Sequence, residues 1–86
     1  AVLFISGDRH RGGLYQLTSS SGKNIVEMTS SSLNLSFTND EEAGPLRVGP
    51  TFVQENYGEI LLNKLTNKLT VNLKDNQGNI VQSVDL

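Results

Sequence analysis

The residues best suited to chemistry lie in one short stretch, residues 6–10 (SGDRH), which follows an apolar run. Asp8 offers a hard oxygen ligand and His10 an imidazole nitrogen, so the two could face a shared or paired cation. Arg9 and Arg11 could contact a phosphate group through parallel hydrogen bonds. The stretch lies where an apolar strand gives way to a loop, which is where functional groups collect in layered α/β enzymes.

The same residues also have ordinary structural interpretations. A histidine in a glycine-rich turn is more often a surface residue, Asp8 could cap the turn through its own backbone, and both arginines could be solvated charges. A metal site normally needs at least three protein ligands. The chain has one histidine and no cysteine, so it cannot build a complete site by itself, and no metal is expected to bind tightly to this chain alone.

Length and charge limit the classes of protein that fit. The chain has 86 residues, so residues 1–86 are predicted to form a single β-rich domain with a marginal core. The formal net charge is -2 with no obviously basic face, which does not suggest a nucleic-acid partner. No apolar run approaches the roughly 20 residues of a membrane span. The absence of cysteine fits either redox environment, so the sequence alone leaves the localisation unknown.

The chain opens on its most apolar run. Residues 1–6 read AVLFIS, a pattern typical of a strand buried on both faces in the middle of a sheet. Neither an initiator methionine nor the charged start of a signal peptide precedes this run. We therefore expect the chain to be a piece of a longer polypeptide, although a processed or trimmed product would look the same.

The rest of the chain indicates a mainly β fold, because no stretch has a convincing helical period. Gly7 permits a sharp turn after the first strand, and further strands are predicted at residues 14–18 and 24–29. Serines 30–32 form a polar edge that leads to Leu33, Leu35 and Phe37. Residues 38–50 are rich in Asp, Glu, Gly and Pro and predict a long loop.

The last third predicts an antiparallel meander, which could belong to a small β-sandwich. Residues 57–65, 69–75 and 80–86 are three strand-like runs separated by connections of hairpin length. Apolar and polar residues alternate along residues 69–74, which gives one apolar face and one solvated face. Gly78 is suited to the left-handed position of a turn that is followed by a bulge.

Residues 2–10 (VLFISGDRH) resemble the last conserved block of metallophosphoesterases. In the PhoD-like (alkaline phosphatase D) family this block is an apolar strand, then SGD, one variable residue and His. Residues 14–21 resemble the strand and serine-rich stretch that follow it, and residues 29–34 are an alternative counterpart. RVG at residues 47–49 and NYG at residues 56–58 resemble two further family motifs, and residues 69–86 resemble its closing hairpin. The likeness spans nearly the whole chain in order.

The resemblance implies that the chain is the C-terminal part of a two-sheet α/β metallophosphoesterase fold, a hydrolase with two metal ions at its strand ends. The metal ions, which could be Fe, Zn, Mn or Ca, would activate water for attack on a phosphate-ester substrate. By this likeness His10 ligates one metal, Asp8 lies at or near the other, and Arg9 or Arg11 contacts the substrate phosphate. A secreted or periplasmic location is also implied.

The family resemblance has departures, and rival functions remain. The widespread superfamily block is Gly-His-x-His, and Asp8 stands where its first histidine would be; the family's earlier ligand blocks are absent from this chain.

The main rival is a non-enzymatic β-sandwich that binds a protein or carbohydrate. A third hypothesis is a small subunit that completes a partner's sheet by strand addition. If the chain is an enzyme fragment, we expect exposed strand edges and self-association. If it is a binding module, we expect a monomer that unfolds cooperatively. If it is a subunit, we expect it to co-purify with a larger chain.

Overall fold

The computed structural model describes residues 2–31 and 46–86, and within these ranges the secondary structure is all strand and turn. No helix in the described ranges has the length and hydropathy needed to cross a membrane. The strands are β1 (Val2–Ser6), β2 (Gly12–Thr18), β3 (Asn24–Ser30), β4 (Arg47–Phe52), β5 (Asn56–Asn63), β6 (Lys68–Asp75) and β7 (Ile80–Asp85).

The strands form two sheets. One has four strands in the order β1-β3-β2-β4, and the other has three in the order β5-β6-β7. β1 pairs with β3 in parallel, whereas the other neighbouring pairs are antiparallel. The expectation of a mainly β, antiparallel-rich fold is therefore confirmed.

The two sheets share one apolar core. Side chains alternate between the two faces of a strand, so β2 and β3 direct one set toward the three-stranded sheet and another set outward. Leu3, Val48, Phe52 and Leu86 are partly buried against the core. Its buried members come from both sheets: Leu14, Val26, Met28, Val71, Leu73 and Val84.

The predicted meander is confirmed. β5 pairs with β6 without interruption from Asn56 to Asn63, and β6 pairs with β7. Gly78 has a φ of 85°, which is the left-handed conformation that glycine adopts without steric cost. The β6–β7 register shifts between Leu73 and Lys74, so the turn is followed by the expected bulge.

The prediction that the opening strand lies in the middle of a sheet is wrong for this structure. β1 is an edge strand, and among the described residues it pairs only with β3. Phe4 is 58% exposed and Ile5 is 65% exposed, although they point to opposite faces of the strand. An apolar run shows that a strand is suited to burial on both faces, but it does not specify which neighbours are present.

The prediction of a loop over residues 38–50 is wrong at its end, since residues 47–50 belong to β4. β4 is an edge strand whose pairing with β2 is irregular between Val48 and Phe52, and proline such as Pro50 is found at edges and bulges. Gly49 has a φ of 74°, which is irregular for a strand. The remainder of the predicted loop, together with Leu33, Leu35 and Phe37, lies outside the described residues.

Polar contacts cover the outer face of the three-stranded sheet. Glu59 accepts hydrogen bonds from Asn72 Nδ2 at 3.1 Å and from Lys74 Nζ at 3.0 Å. Ser83 Oγ donates to Asn72 Oδ1 at 2.7 Å. The hydrogen bond from Asn72, together with that from Lys74, holds the pKa of Glu59 below its ordinary value of 4.5. These polar side chains thus find their hydrogen-bond partners on the same face of the sheet.

Asp75, in the turn between β6 and β7, is expected to contribute stability that is lost at acidic pH. Asp75 Oδ1 accepts hydrogen bonds from the N–H groups of Gln77 and Asn79, each at 2.9 Å. These bonds, that from Asn79 first, hold the pKa of Asp75 below its ordinary value of 3.8. A carboxyl group whose pKa is lowered by folding stabilises the fold above its unfolded pKa, and the stability is lost as the pH falls through the folded pKa.

We expect Asp75→Asn to lose less stability than the parent chain when the pH falls from about 6 to about 3. The measurement is the midpoint of urea unfolding at both pH values for the two proteins. Equal losses in the two proteins would show that Asp75 does not contribute to the acid sensitivity.

Candidate functional site

The predicted site residues all lie in one turn, residues 7–11, which we call the Asp8–His10 turn. β1 ends at Ser6 and β2 begins at Gly12, but β3 lies between these two strands. The turn therefore crosses the end of β3. Because β1 and β3 are parallel, both strands end at this same edge of the sheet. The structure places Asp8, Arg9, His10 and Arg11 together at that edge.

A serine hydroxyl anchors the backbone of the turn. The N–H groups of Arg9 and His10 donate to Ser31 Oγ at 2.9 and 3.0 Å. Ser31 directly follows β3, over which the turn passes. Two donors that converge on one oxygen fix the peptide units between the two candidate ligands. Sequence reasoning treated Ser31 only as part of a polar edge, and this role was missed because it depends on the order of the strands.

Asp8 and His10, rather than Gly7, make the sharp changes of chain direction. Asp8 has a φ of 67° and His10 a φ of 56°. Both values lie in the left-handed region, in which Asp and His are several-fold enriched among non-glycine residues. The chain turns after Gly7 as predicted, but the φ of Gly7 itself is not positive. Asp8 is exposed and His10 is half-buried at the rim of the sheet.

A buried asparagine supports the turn from the other sheet. Asn56 begins β5, where its Oδ1 accepts from Ser30 Oγ at 2.8 Å and its Nδ2 donates to the carbonyl oxygen of Gln54 at 2.7 Å. It therefore links the end of β3 to the start of β5. The sequence offered no signal for this link beyond the NYG motif.

Gly12 packs directly on this asparagine. A Cβ at Gly12 would lie 2.7 Å from Asn56 Oδ1 and 2.8 Å from Leu73 Cδ1. Both distances are shorter than real Cβ atoms tolerate, and both neighbouring side chains are buried. Only glycine therefore fits where the Asp8–His10 turn enters β2.

The turn brings together two residue types that occur in metal sites. A carboxylate and an imidazole suit a divalent cation such as zinc, but a stable site needs further protein ligands. Within residues 2–31 and 46–86 no group of three His, Cys, Asp or Glu side chains is placed to hold a metal ion. To complete a metal centre, Asp8 and His10 would therefore need ligands from outside these residues. Arg9 is exposed and Arg11 half-buried beside them.

Removing the serine anchor should loosen the turn. In Ser31→Ala the N–H groups of Arg9 and His10 lose their shared acceptor, and because the turn is near solvent we expect a loss of about 1 kcal/mol in unfolding free energy. Hydrogen exchange of these two amides should accelerate, and Ser31→Thr, which keeps a hydroxyl, should restore most of their protection. Unchanged protection of both amides in Ser31→Ala would rule out this anchoring role.

Comparison of the chain with protein-family models, with curated proteins and with solved structures returned no match. The likeness to PhoD-like phosphatases thus depends on the short motifs quoted above.

Proposed function

We propose that this chain is the C-terminal, β-rich part of a metal-dependent phosphatase that resembles the PhoD-like family and hydrolyses phosphate esters. The observation that carries the proposal is the Asp8–His10 turn, which presents a carboxylate and an imidazole at the edge where parallel strands β1 and β3 both end. His10 is proposed as a ligand of one metal, and Asp8 as a residue at or near the second. Bound metals would supply an activated water and neutralise charge on the phosphoryl group.

The roles of the other residues follow from their exposure and contacts. Arg9 is exposed and is the better candidate for a contact to the substrate phosphate, since its guanidinium can donate two parallel hydrogen bonds. Arg11 is half-buried and is the second candidate. Ser31 acts as a positioning residue, because its hydroxyl holds the N–H groups of the turn.

The surface of β1 supports a larger protein around this chain. Phe4 and Ile5 are exposed on opposite faces of an edge strand, and strands with two apolar faces are normally covered on both sides. In the proposed enzyme, other parts of the polypeptide pair with β1, cover both faces and supply the missing ligands. Without them, the chain is expected to be inactive and to self-associate through this edge, since exposed flat edges promote pairing.

A second candidate function is a β-sandwich that binds a protein or carbohydrate without catalysis. It is favoured by the core, to which Leu14 and Val26 of one sheet and Val71 and Leu73 of the other all contribute. A binding module should sediment as a monomer and unfold in one cooperative transition. The phosphatase hypothesis instead predicts concentration-dependent self-association of the isolated chain.

Metal dependence tests the phosphatase proposal. The longer protein that contains this chain should hydrolyse p-nitrophenyl phosphate or bis-p-nitrophenyl phosphate, and a chelator should abolish this activity. Adding back Fe, Zn, Mn or Ca singly should restore it with at least one of these metals. Hydrolysis that resists exhaustive chelation, or no hydrolysis of either ester with any of the four metals, would reject the proposal.

A further inference from the structure

Two hydroxyl groups at the end of β3, those of Thr29 and Ser31, have no acceptor for their protons among the described residues. Thr29 is 1% exposed, and its Oγ1 is buried without a hydrogen-bond partner. Ser31 Oγ accepts from the N–H groups of Arg9 and His10, but within residues 2–31 and 46–86 it donates to no other atom. Burial of a polar group without a partner is costly, so the Thr29 hydroxyl requires an explanation.

Thr29 lies between β1 and β2, the two strands that the Asp8–His10 turn connects. It pairs with Ser6 at the end of β1 and with Gly13 near the start of β2. Because side chains alternate along a strand and Met28 belongs to the core, Thr29 points to the outer face of the four-stranded sheet. Its hydroxyl is therefore buried outside the apolar core, next to the edge that carries the candidate site.

The Ser31 hydroxyl is oriented as a donor. A serine hydroxyl has two lone pairs and one proton, and the N–H groups of Arg9 and His10 occupy both lone pairs at 2.9 and 3.0 Å. The proton must point away from these two donors, and hydrogen bonds that an oxygen accepts strengthen the one that it donates. Ser31 is half-buried, so its proton can meet a ligand that arrives from solvent.

We propose that Thr29 and Ser31 bind an oxyanion, either free phosphate or the phosphoryl group of a phosphate ester, by donating hydrogen bonds to its oxygens. Such a ligand is rich in charged acceptors, which suits two hydroxyls that lack them. Ser31 contacts the anion at the surface. Thr29 lies deeper and donates to an anion oxygen or to a water molecule that the anion orders. As a substrate site this inference rests on the proposed function, whereas binding of the anion itself does not.

Two carboxylates oppose the anion. Asp8 lies in the turn and Glu27 two residues before Thr29, and both are exposed. Their repulsion is screened by salt, so it lowers the affinity without excluding the ligand. Asp8→Asn should therefore tighten phosphate binding by the chain alone, and weaker binding by this variant would place the anion away from the turn.

Removal of the Thr29 hydroxyl is the cleanest test, since it breaks no hydrogen bond of the structure. Inorganic phosphate is titrated into the isotopically labelled chain at constant ionic strength, and saturable NMR shifts are expected at the amides of Thr29 and Ser31. Thr29→Val has nearly the same shape without the hydroxyl and should weaken phosphate binding by on the order of tenfold, because hydrogen bonds to charged groups are strong. Thr29→Ser keeps the hydroxyl and should keep most of the affinity.

Further measurements separate binding from folding. Without phosphate, Thr29→Val should unfold at the same or a higher urea concentration than the parent chain, because a buried hydroxyl without a partner does not stabilise the fold. Ser21→Ala is the matched control, since it removes an exposed hydroxyl in the turn before β3, and it should leave phosphate binding unchanged. Phenyl phosphate should also bind, because one oxygen of the phosphoryl group can carry the ester while the others accept.

The anion site would be overturned by an absence of saturable shifts, by equal phosphate affinity of Thr29→Val and the parent chain, or by a lower urea midpoint of Thr29→Val without phosphate. Binding of inorganic phosphate but not of phenyl phosphate would overturn its assignment to the substrate. If the longer protein hydrolyses neither ester while the chain binds phosphate at these residues, the phosphatase proposal fails and the anion site stands. Hydrolysis whose KM is unchanged in Thr29→Val has the opposite meaning.

Discussion

Replacement of His10 by alanine in the longer enzyme is expected to lower kcat/KM for phosphate esters by more than about 100-fold. The reason is the proposed ligation of one metal by its imidazole. Loss of an outer partner of a metal ligand alone costs about 10- to 100-fold in affinity or activity, so loss of the ligand itself should cost at least as much. The His10→Ala enzyme should also hold less metal after purification, as measured by elemental analysis.

Two further variants make the His10 experiment specific. Asp8→Asn should reduce activity less than His10→Ala, because an amide oxygen can still face a cation. Lys23→Ala, in the exposed turn before β3, should leave activity unchanged. Near-normal turnover of His10→Ala with full metal content would remove His10 from the metal centre.

Gly12→Ala is expected to lower the unfolding free energy by about 2 to 4 kcal/mol. The added Cβ would lie 2.7 Å from Asn56 Oδ1 and 2.8 Å from Leu73 Cδ1. Overpacking of a core costs about 1 to 3 kcal/mol, and displacing a buried hydrogen-bonded group costs about as much again. Urea unfolding of the variant and the parent chain measures the difference.

Gly7→Ala is the matched control for Gly12→Ala. It adds the same methyl group at the other end of the Asp8–His10 turn, but its Cβ would lie 3.4 Å from Ser31 Cβ and its φ is not positive. It should therefore change stability by less than about 0.5 kcal/mol. Combining Gly12→Ala with Asn56→Ala should cost less than the sum of the two single changes, because residues in contact are not additive. Equal effects of Gly12→Ala and Gly7→Ala would contradict close packing on Asn56.

Local patterns predicted the strands of the first third but not how they pair, whereas in the last third they predicted both. The alternation along residues 69–74 and the left-handed turn at Gly78 depend only on residues that are adjacent in the sequence, so the meander could be predicted. The position of β1 depends on a parallel pairing with β3, some twenty residues away, which adjacent residues do not specify. β4 was missed because Gly49 and Pro50 are typical of loops, and only its edge position makes them compatible with a strand.

The candidate site, too, could be predicted from the sequence only in part. The residue types of Asp8 and His10 and their place after an apolar strand could be recognised in the sequence. Their supports could not, because Ser31 reaches the turn only when β3 lies between β1 and β2, and Asn56 reaches Ser30 only when the two sheets pack together. The buried contact at Gly12 depends on the same packing.

The most direct test of the central claim is the mass of the native polypeptide in its source, detected with an antibody raised against residues 57–86. The phosphatase proposal predicts a band several-fold larger than the 9.4 kDa of this chain, and that larger protein should carry the metal-dependent activity. A native band at 9.4 kDa would contradict the proposal, because Asp8 and His10 would then have no partner ligands from a longer chain.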